Sequence, residues 1–120
     1  MGVEVVYAAA NISLAMLEIL VHFTEVPEDY VLTAITIPDG VKIETVPKLQ
    51  LPRGWNAITG SRGGKEFGRK WVKESRSAVL SVPSSIVPRE RIFILNPTHP
   101  DFAEIEFGKP IPHAFDTRLK

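Results

Sequence analysis

Cysteine is absent from the 120 residues, which excludes a disulfide framework and a thiolate zinc site. An excess of either charge is missing too. Lys plus Arg and Asp plus Glu number 14 each, so the overall field gives no reason to expect bulk binding to nucleic acid or to a membrane surface. Long apolar runs are also lacking. The most apolar stretch, near the N-terminus, has no positively charged lead-in and is broken by Asn11, Ser13, Glu18 and His22. It reads as neither a signal peptide nor a membrane span, and an intracellular, cytoplasmic setting fits. The three histidines, His22, His99 and His113, lie far apart and form no helical two-histidine motif, so no metal site is expected. The length suits one domain able to bury a core without staples, and no repeat or low-complexity segment is visible. Proline, by contrast, is plentiful: 10 residues punctuate the chain and predict short strands and irregular loops.

The stretch from Val3 to Phe23 joins the most strand-like run to the most helix-like one. Val3 to Tyr7 is β-branched or aromatic apart from Glu4, which suits a mostly buried strand. After three alanines, Asn11 or Ser13 can cap a helix running towards Phe23. At about 100° per residue, its apolar side chains cover most of the circumference, so the helix is expected to be buried nearly all round. One narrow stripe remains, Asn11, Ala15, Glu18 and His22, with Glu18 and His22 one turn apart. Two readings stay open: a strip of solvent exposure carrying a weak pair, or the lining of a cleft with Glu18 as a working carboxylate.

Further along, Tyr30 to Ile37 alternates like a strand, Pro38-Asp39-Gly40 supplies turn chemistry, and Val41 to Val46 alternates again, which predicts a hairpin. Residues 47–64 read as a loop anchored by Trp55. Lys65 to Arg76 predicts a second helix, with Phe67 and Trp71 on one face and Lys65, Arg69 and Lys73 on another. Charged faces of this kind are usually just solvated; phosphate-directed binding is the weaker alternative. Strands are expected at Ser77 to Val82, ending at Pro83, and at Ile92 to Leu95. A helical turn at Pro100 to Ala103 and an edge strand at Glu104 to Phe107 follow.

The string Gly60 to Glu66 is not a phosphate loop, because its glycine spacing is too short and Glu66 stands where a magnesium-binding hydroxyl is required. A glycine hinge is the simpler reading. Ser84 and Ser85 follow a strand end, where side chains often meet ligands. With no nucleophile-elbow glycines around them, hydrogen bonding to a ligand or capping of the next turn fits better than a hydrolase serine. Asn96-Pro97-Thr98-His99-Pro100 reads as a rigid turn in which Asn96 bonds nearby backbone.

Taken in order, VVYAAANISLAMLEILVH, LPRGW, FGRKWV, AVLSVPSSIVP, ILNPTHPDF and FDTRL resemble the RES-domain toxins of bacterial toxin-antitoxin systems, a family named for signature Arg, Glu and Ser residues. The resemblance covers nearly the whole chain. It implies a compact mixed α+β domain over residues 1–120, similar to ADP-ribosyltransferase toxins, with short strands and two main helices. It implies NAD as substrate, consumed at its nicotinamide-ribose bond by hydrolysis, phosphorolysis or ADP-ribosyl transfer, without a metal. It also implies an Xre-like helix-turn-helix antitoxin as partner, in a homodimer or a higher toxin-antitoxin assembly. On this resemblance Glu18 is the signature, catalytic Glu, Ser84 is the signature Ser at the cofactor-binding cleft, and Tyr7 borders the nicotinamide. Asn96 and His99 match family positions but read first as structural. The family's signature Arg and its glycine-rich Arg-Trp-Asn segment precede the first strand, whereas only Met1 to Val6 stand before Tyr7, so the domain reads as N-terminally truncated. Weakened or lost turnover is then expected, with Arg53, Arg62 or Arg69 as substitutes for the phosphate clamp. The alternative is an inactive RES-fold interaction protein that binds the antitoxin.

Overall fold

The computed structural model describes residues 5–22, 25, 28–46 and 62–119, with the side chains of His22 and residues 62–67 outside that description. Among the described residues, two α-helices and eight short strands make up a mixed α+β domain. Four strands form the main sheet: β1 (Val6–Ala9), β4 (Ile43–Thr45), β5 (Val79–Pro83) and β6 (Arg91–Leu95), in the order β1-β6-β5-β4. β5 and β6 pair antiparallel, with Leu80 opposite Ile94 and Val82 opposite Ile92. All five residues of β5 are buried, as its unbroken apolar run with one serine requires of a central strand.

Each sheet face has its own core. On one face, α2 (Arg62–Glu74) packs Trp71 and Val72 against Leu80, Val82 and Val46. Trp71 is fully buried, and its indole N–H donates to the Ser77 hydroxyl at 3.0 Å, so the ring brings no unpaired polar atom into the core. On the other face, Val79, Leu95, Val41 and Ile105 form a cluster that Phe93, Phe102, Ile35 and Ile37 extend. There are also two small ribbons: β2 (Val31–Leu32) pairs with β8 (Ile111–Pro112), and β3 (Ile35–Thr36), whose Ile35 packs on this cluster, pairs with β7 (Glu106–Phe107). Tyr30 meets Phe115 edge-on at 4.7 Å, and burial pushes its phenol above the ordinary tyrosine range.

Three expectations are corrected. The hairpin between residues 30–37 and 41–46 does not form: the turn closes, with the Val41 amide donating to the Pro38 carbonyl, but the chain then diverges. The first arm splits into β2 and β3, while β4 lies parallel to β5 in the main sheet. Alternation specified which residues face inward but not which strand would pair with them. Secondly, Gly63 and Gly64 open α2 instead of forming a hinge ahead of it.

The third correction concerns α1 (Ile12–His22), which is not buried all round. Leu14 and Leu20 are buried, yet Ile12, Leu17 and Val21 are exposed at 55%, 42% and 61%. The helix follows β1, which stands at the end of the sheet order among the described residues. Its expected polar stripe is reversed at the decisive position: Glu18 is half-buried while neighbouring apolar residues face outward. The strand before it runs later than expected, taking in Ala8 and Ala9, while Val3, Glu4, residues 47–61 and the anchor Trp55 lie outside the described residues. Among the described residues no helix is long and apolar enough to cross a membrane.

Candidate functional site

β1 and β5 are each antiparallel to β6 and so parallel to one another, and β4 is parallel to β5. Their carboxyl ends therefore share one edge of the sheet with the start of β6. Asn11, Val46, Ser84 and the Glu90-Arg91 pair all emerge there, at the kind of strand end where open sheets commonly bind ligands.

Ser84 is the hub of this edge. It is fully buried, and its hydroxyl donates to Oε1 of Glu18 at 3.0 Å. The same oxygen accepts from the backbone amides of Ile86 and Val87 at 3.1 and 3.0 Å. A serine hydroxyl has one proton and two lone pairs, so all three bonding positions are filled. Ser84 thus has no hydrogen-bonding position left for a ligand, and its hydroxyl holds one oxygen of Glu18. Its own amide donates to the Glu90 carbonyl at 2.8 Å, closing the turn that it caps.

Helix α1 is tied to that turn at two points. Asn11 caps the helix by accepting the Leu14 amide on Oδ1 at 2.8 Å, and its Nδ2 donates to Glu90 Oε1 at 3.0 Å. From Asn11 to Glu18 the helix rises about 10 Å, so it spans the mouth of the turn from Ser84 to Glu90. Glu18 has one carboxylate oxygen anchored by Ser84, and no partner for the other is found among the described residues. A half-buried carboxylate held at one oxygen and open at the other is suited to act on a cationic centre.

Tyr7 lies in the middle of β1, opposite Ile94, and is 64% exposed. It joins neither Glu18 nor Ser84 by a hydrogen bond or ring contact among the described residues. Asn96 and His99 have structural roles: Asn96 Oδ1 accepts from the Thr98 amide and hydroxyl at 3.0 and 2.7 Å, and His99 Nδ1 accepts the Asp101 amide at 3.0 Å, capping a 3-10 turn over Pro100–Glu104. In the FDTRL segment, Arg118 forks onto Asp116 with a closest contact of 2.6 Å and holds that carboxyl below its ordinary range. Of the arginines weighed as phosphate clamps, Arg69 is exposed on α2, and the Arg53 and Arg62 side chains lie outside the described residues.

Sequence reasoning passed over Arg91. Its Nε donates to Ser81 Oγ at 3.0 Å, and its Nη2 donates to the carbonyls of Val46 and Ser81, each at 2.8 Å. The available signal was a cation opening the otherwise apolar strand RIFIL. Among the described residues no group of three His, Asp or Glu side chains is placed to hold a metal ion.

A small α+β domain with a serine-held carboxylate at the carboxyl edge of its sheet is thus the class that the fold and site define. The family model described as the RES domain matches residues 1–116, and the chain belongs to that family. It is 38% identical over 122 residues to the Prs ADP-ribosylating toxin of Sphingobium sp. (strain YBL2), an alignment covering 98% of this chain and 76% of that protein. It is 40% identical to Toxin Res of Photorhabdus laumondii subsp. laumondii, covering 98% and 77%, and 34% identical to Toxin Res of Yersinia enterocolitica, covering 99% and 80%. It is therefore a member of a family of toxins.

Proposed function

We propose that this protein is the toxin of a toxin-antitoxin pair and that it cleaves the nicotinamide-ribose bond of NAD. The observation that carries the reading is the hydrogen bond from the buried Ser84 hydroxyl to Glu18, which fixes a carboxylate at the kind of strand end where sheets commonly bind ligands. The name of the Sphingobium relative, an ADP-ribosylating toxin, supports the same bond as the one broken.

In this reaction the bond between ribose C1′ and the pyridinium nitrogen breaks, and its electron pair leaves with neutral nicotinamide. Positive charge passes to the ribose as an oxocarbenium-like centre. The open oxygen of Glu18 stabilises that charge and orients the incoming nucleophile, as carboxylates do at glycosidic centres. Water gives hydrolysis, phosphate gives phosphorolysis, and a protein side chain gives ADP-ribosyl transfer. Tyr7, exposed on β1, offers a stacking surface to the nicotinamide ring, while Ser84 keeps Glu18 on target. The toxin acts in the cytoplasm and is held by an Xre-like helix-turn-helix antitoxin.

Incubating the purified protein with NAD and separating the products tests this reading. Nicotinamide should appear with ADP-ribose, its phosphate ester or a modified protein, depending on whether water, phosphate or a protein acceptor is the nucleophile. Absence of nicotinamide release under all three conditions would contradict it. One observation favours a second reading, in which the domain binds its antitoxin without chemistry: Leu17 and Val21, one turn apart on α1, are both exposed apolar side chains. Under that reading the antitoxin co-purifies with the chain, and NAD is untouched even by the separated protein.

A further inference from the structure

We infer that Arg91 is the anion-binding arm of this site and that it takes a phosphate of the dinucleotide, an assignment that rests on the NAD reading above. Arg91 is half-buried, and three of its five N–H groups are committed to neutral acceptors: the Ser81 hydroxyl and the carbonyls of Ser81 and Val46. Those bonds fix the orientation of the guanidinium plane. They do not neutralise its charge, and a partly desolvated cation calls for a counter-charge.

No acid among the described residues supplies one. Glu44 and Glu74 pair with Arg76, and Asp116 pairs with Arg118. Glu90, next to Arg91 in sequence, is engaged with Asn11. The sequence that follows Val46, residues 47–61, contains no Asp or Glu but does contain Lys48 and Arg53. The two Nη1 protons have no acceptor among the described residues, and a guanidinium fixed at Nε and Nη2 presents them in a plane to an incoming oxyanion.

The position links this charge to the carboxylate. Arg91 sits opposite Pro83 in the β5-β6 register, and the next residue of β5's strand end is Ser84, which holds Glu18. One strand end thus carries both a group suited to a developing ribosyl cation and a cation suited to the anionic part of the same molecule. NAD has those two features: a ribosyl bond that becomes cationic on cleavage, and a pyrophosphate.

A purely structural role, tying β4 to β5, would produce the same three hydrogen bonds, so the test must read charge. Affinity for ADP-ribose is measured by calorimetry at several salt concentrations for the wild type, Arg91→Lys and Arg91→Gln, alongside melting temperatures. The wild type should bind ADP-ribose with an affinity that falls as salt rises. Arg91→Gln should bind about 10- to 100-fold more weakly, with its salt dependence reduced; Arg91→Lys should keep the salt dependence but lose part of the affinity. Should Arg91→Gln fold poorly, Arg91→Lys retains a cation and still reports the loss of the fixed Nη1 donors. Wild-type affinity and salt dependence in both variants would overturn the assignment while leaving NAD cleavage standing. A wild type that binds no ADP-ribose and releases no nicotinamide would remove the NAD reading, and the assignment with it.

Discussion

Replacing Glu18 with Gln is expected to slow nicotinamide release by about a hundred- to a thousandfold, the usual cost of removing one preorganised electrostatic group. The substitution is nearly isosteric. Its amide oxygen can still accept the Ser84 hydroxyl, so the 3.0 Å contact, the cap on the Ser84 turn and the position of α1 should survive. What disappears is the negative charge that we propose acts on the ribose. Steady-state assays of nicotinamide release, with melting curves to confirm that both proteins are folded, separate these effects. A Glu18→Gln protein that matched the wild type in rate would show that the chemistry lies elsewhere.

The largest loss of stability is expected from Trp71→Ala, at about 3–5 kcal/mol. Trp71 is fully buried and is the largest side chain joining α2 to Leu80, Val82 and Val46. Its removal leaves a cavity on that face of the sheet and deprives the Ser77 hydroxyl of its indole donor. In a domain of this size the melting temperature should fall by roughly 10–20 °C, measurable by circular dichroism. A fall of only about 1 kcal/mol in stability would mean that α2 contributes little to the core.

The contrast between these residues shows what could be read from the chain. Trp71 was legible as a core residue because Phe67 and Trp71 share one face of a helix that carries Lys65, Arg69 and Lys73 on another. The span of α1 and the runs that became β5 and β6 were equally legible, since uninterrupted apolar runs are local signals; the cap was narrowed to Asn11 or Ser13, and the Leu14 amide on Asn11 Oδ1 decides for the first. The partner of β4 was not. A period of two says which side chains face inward but nothing of the neighbouring strand, and a parallel partner more than thirty residues away leaves no local trace.

Glu18 lay between these cases. Helical periodicity set it on a polar stripe and could not decide between water and a cleft; family motifs singled out Glu18 and Ser84 separately. Their direct contact, across 66 positions of sequence, exists only once β1 and β5 deliver their carboxyl ends to the same edge. That geometry also changes the part given to Ser84. A hydroxyl whose donor and both lone pairs are engaged has no hydrogen bond left to offer a ligand, and the part we propose for it is to position Glu18. Arg91 escaped notice because a single arginine at a strand start looks like surface until the fold brings the Val46 and Ser81 carbonyls beneath it.

The central claim, that Ser84 serves the reaction through Glu18, is tested most directly by a double-mutant cycle read as the rate of nicotinamide release in folded protein. Ser84→Ala should slow the wild-type enzyme, and should have no further effect in a Glu18→Gln background, because the group it positions no longer carries charge. Losses that multiply, with the double variant slower than Glu18→Gln by the full single-variant factor of Ser84→Ala, would contradict the account.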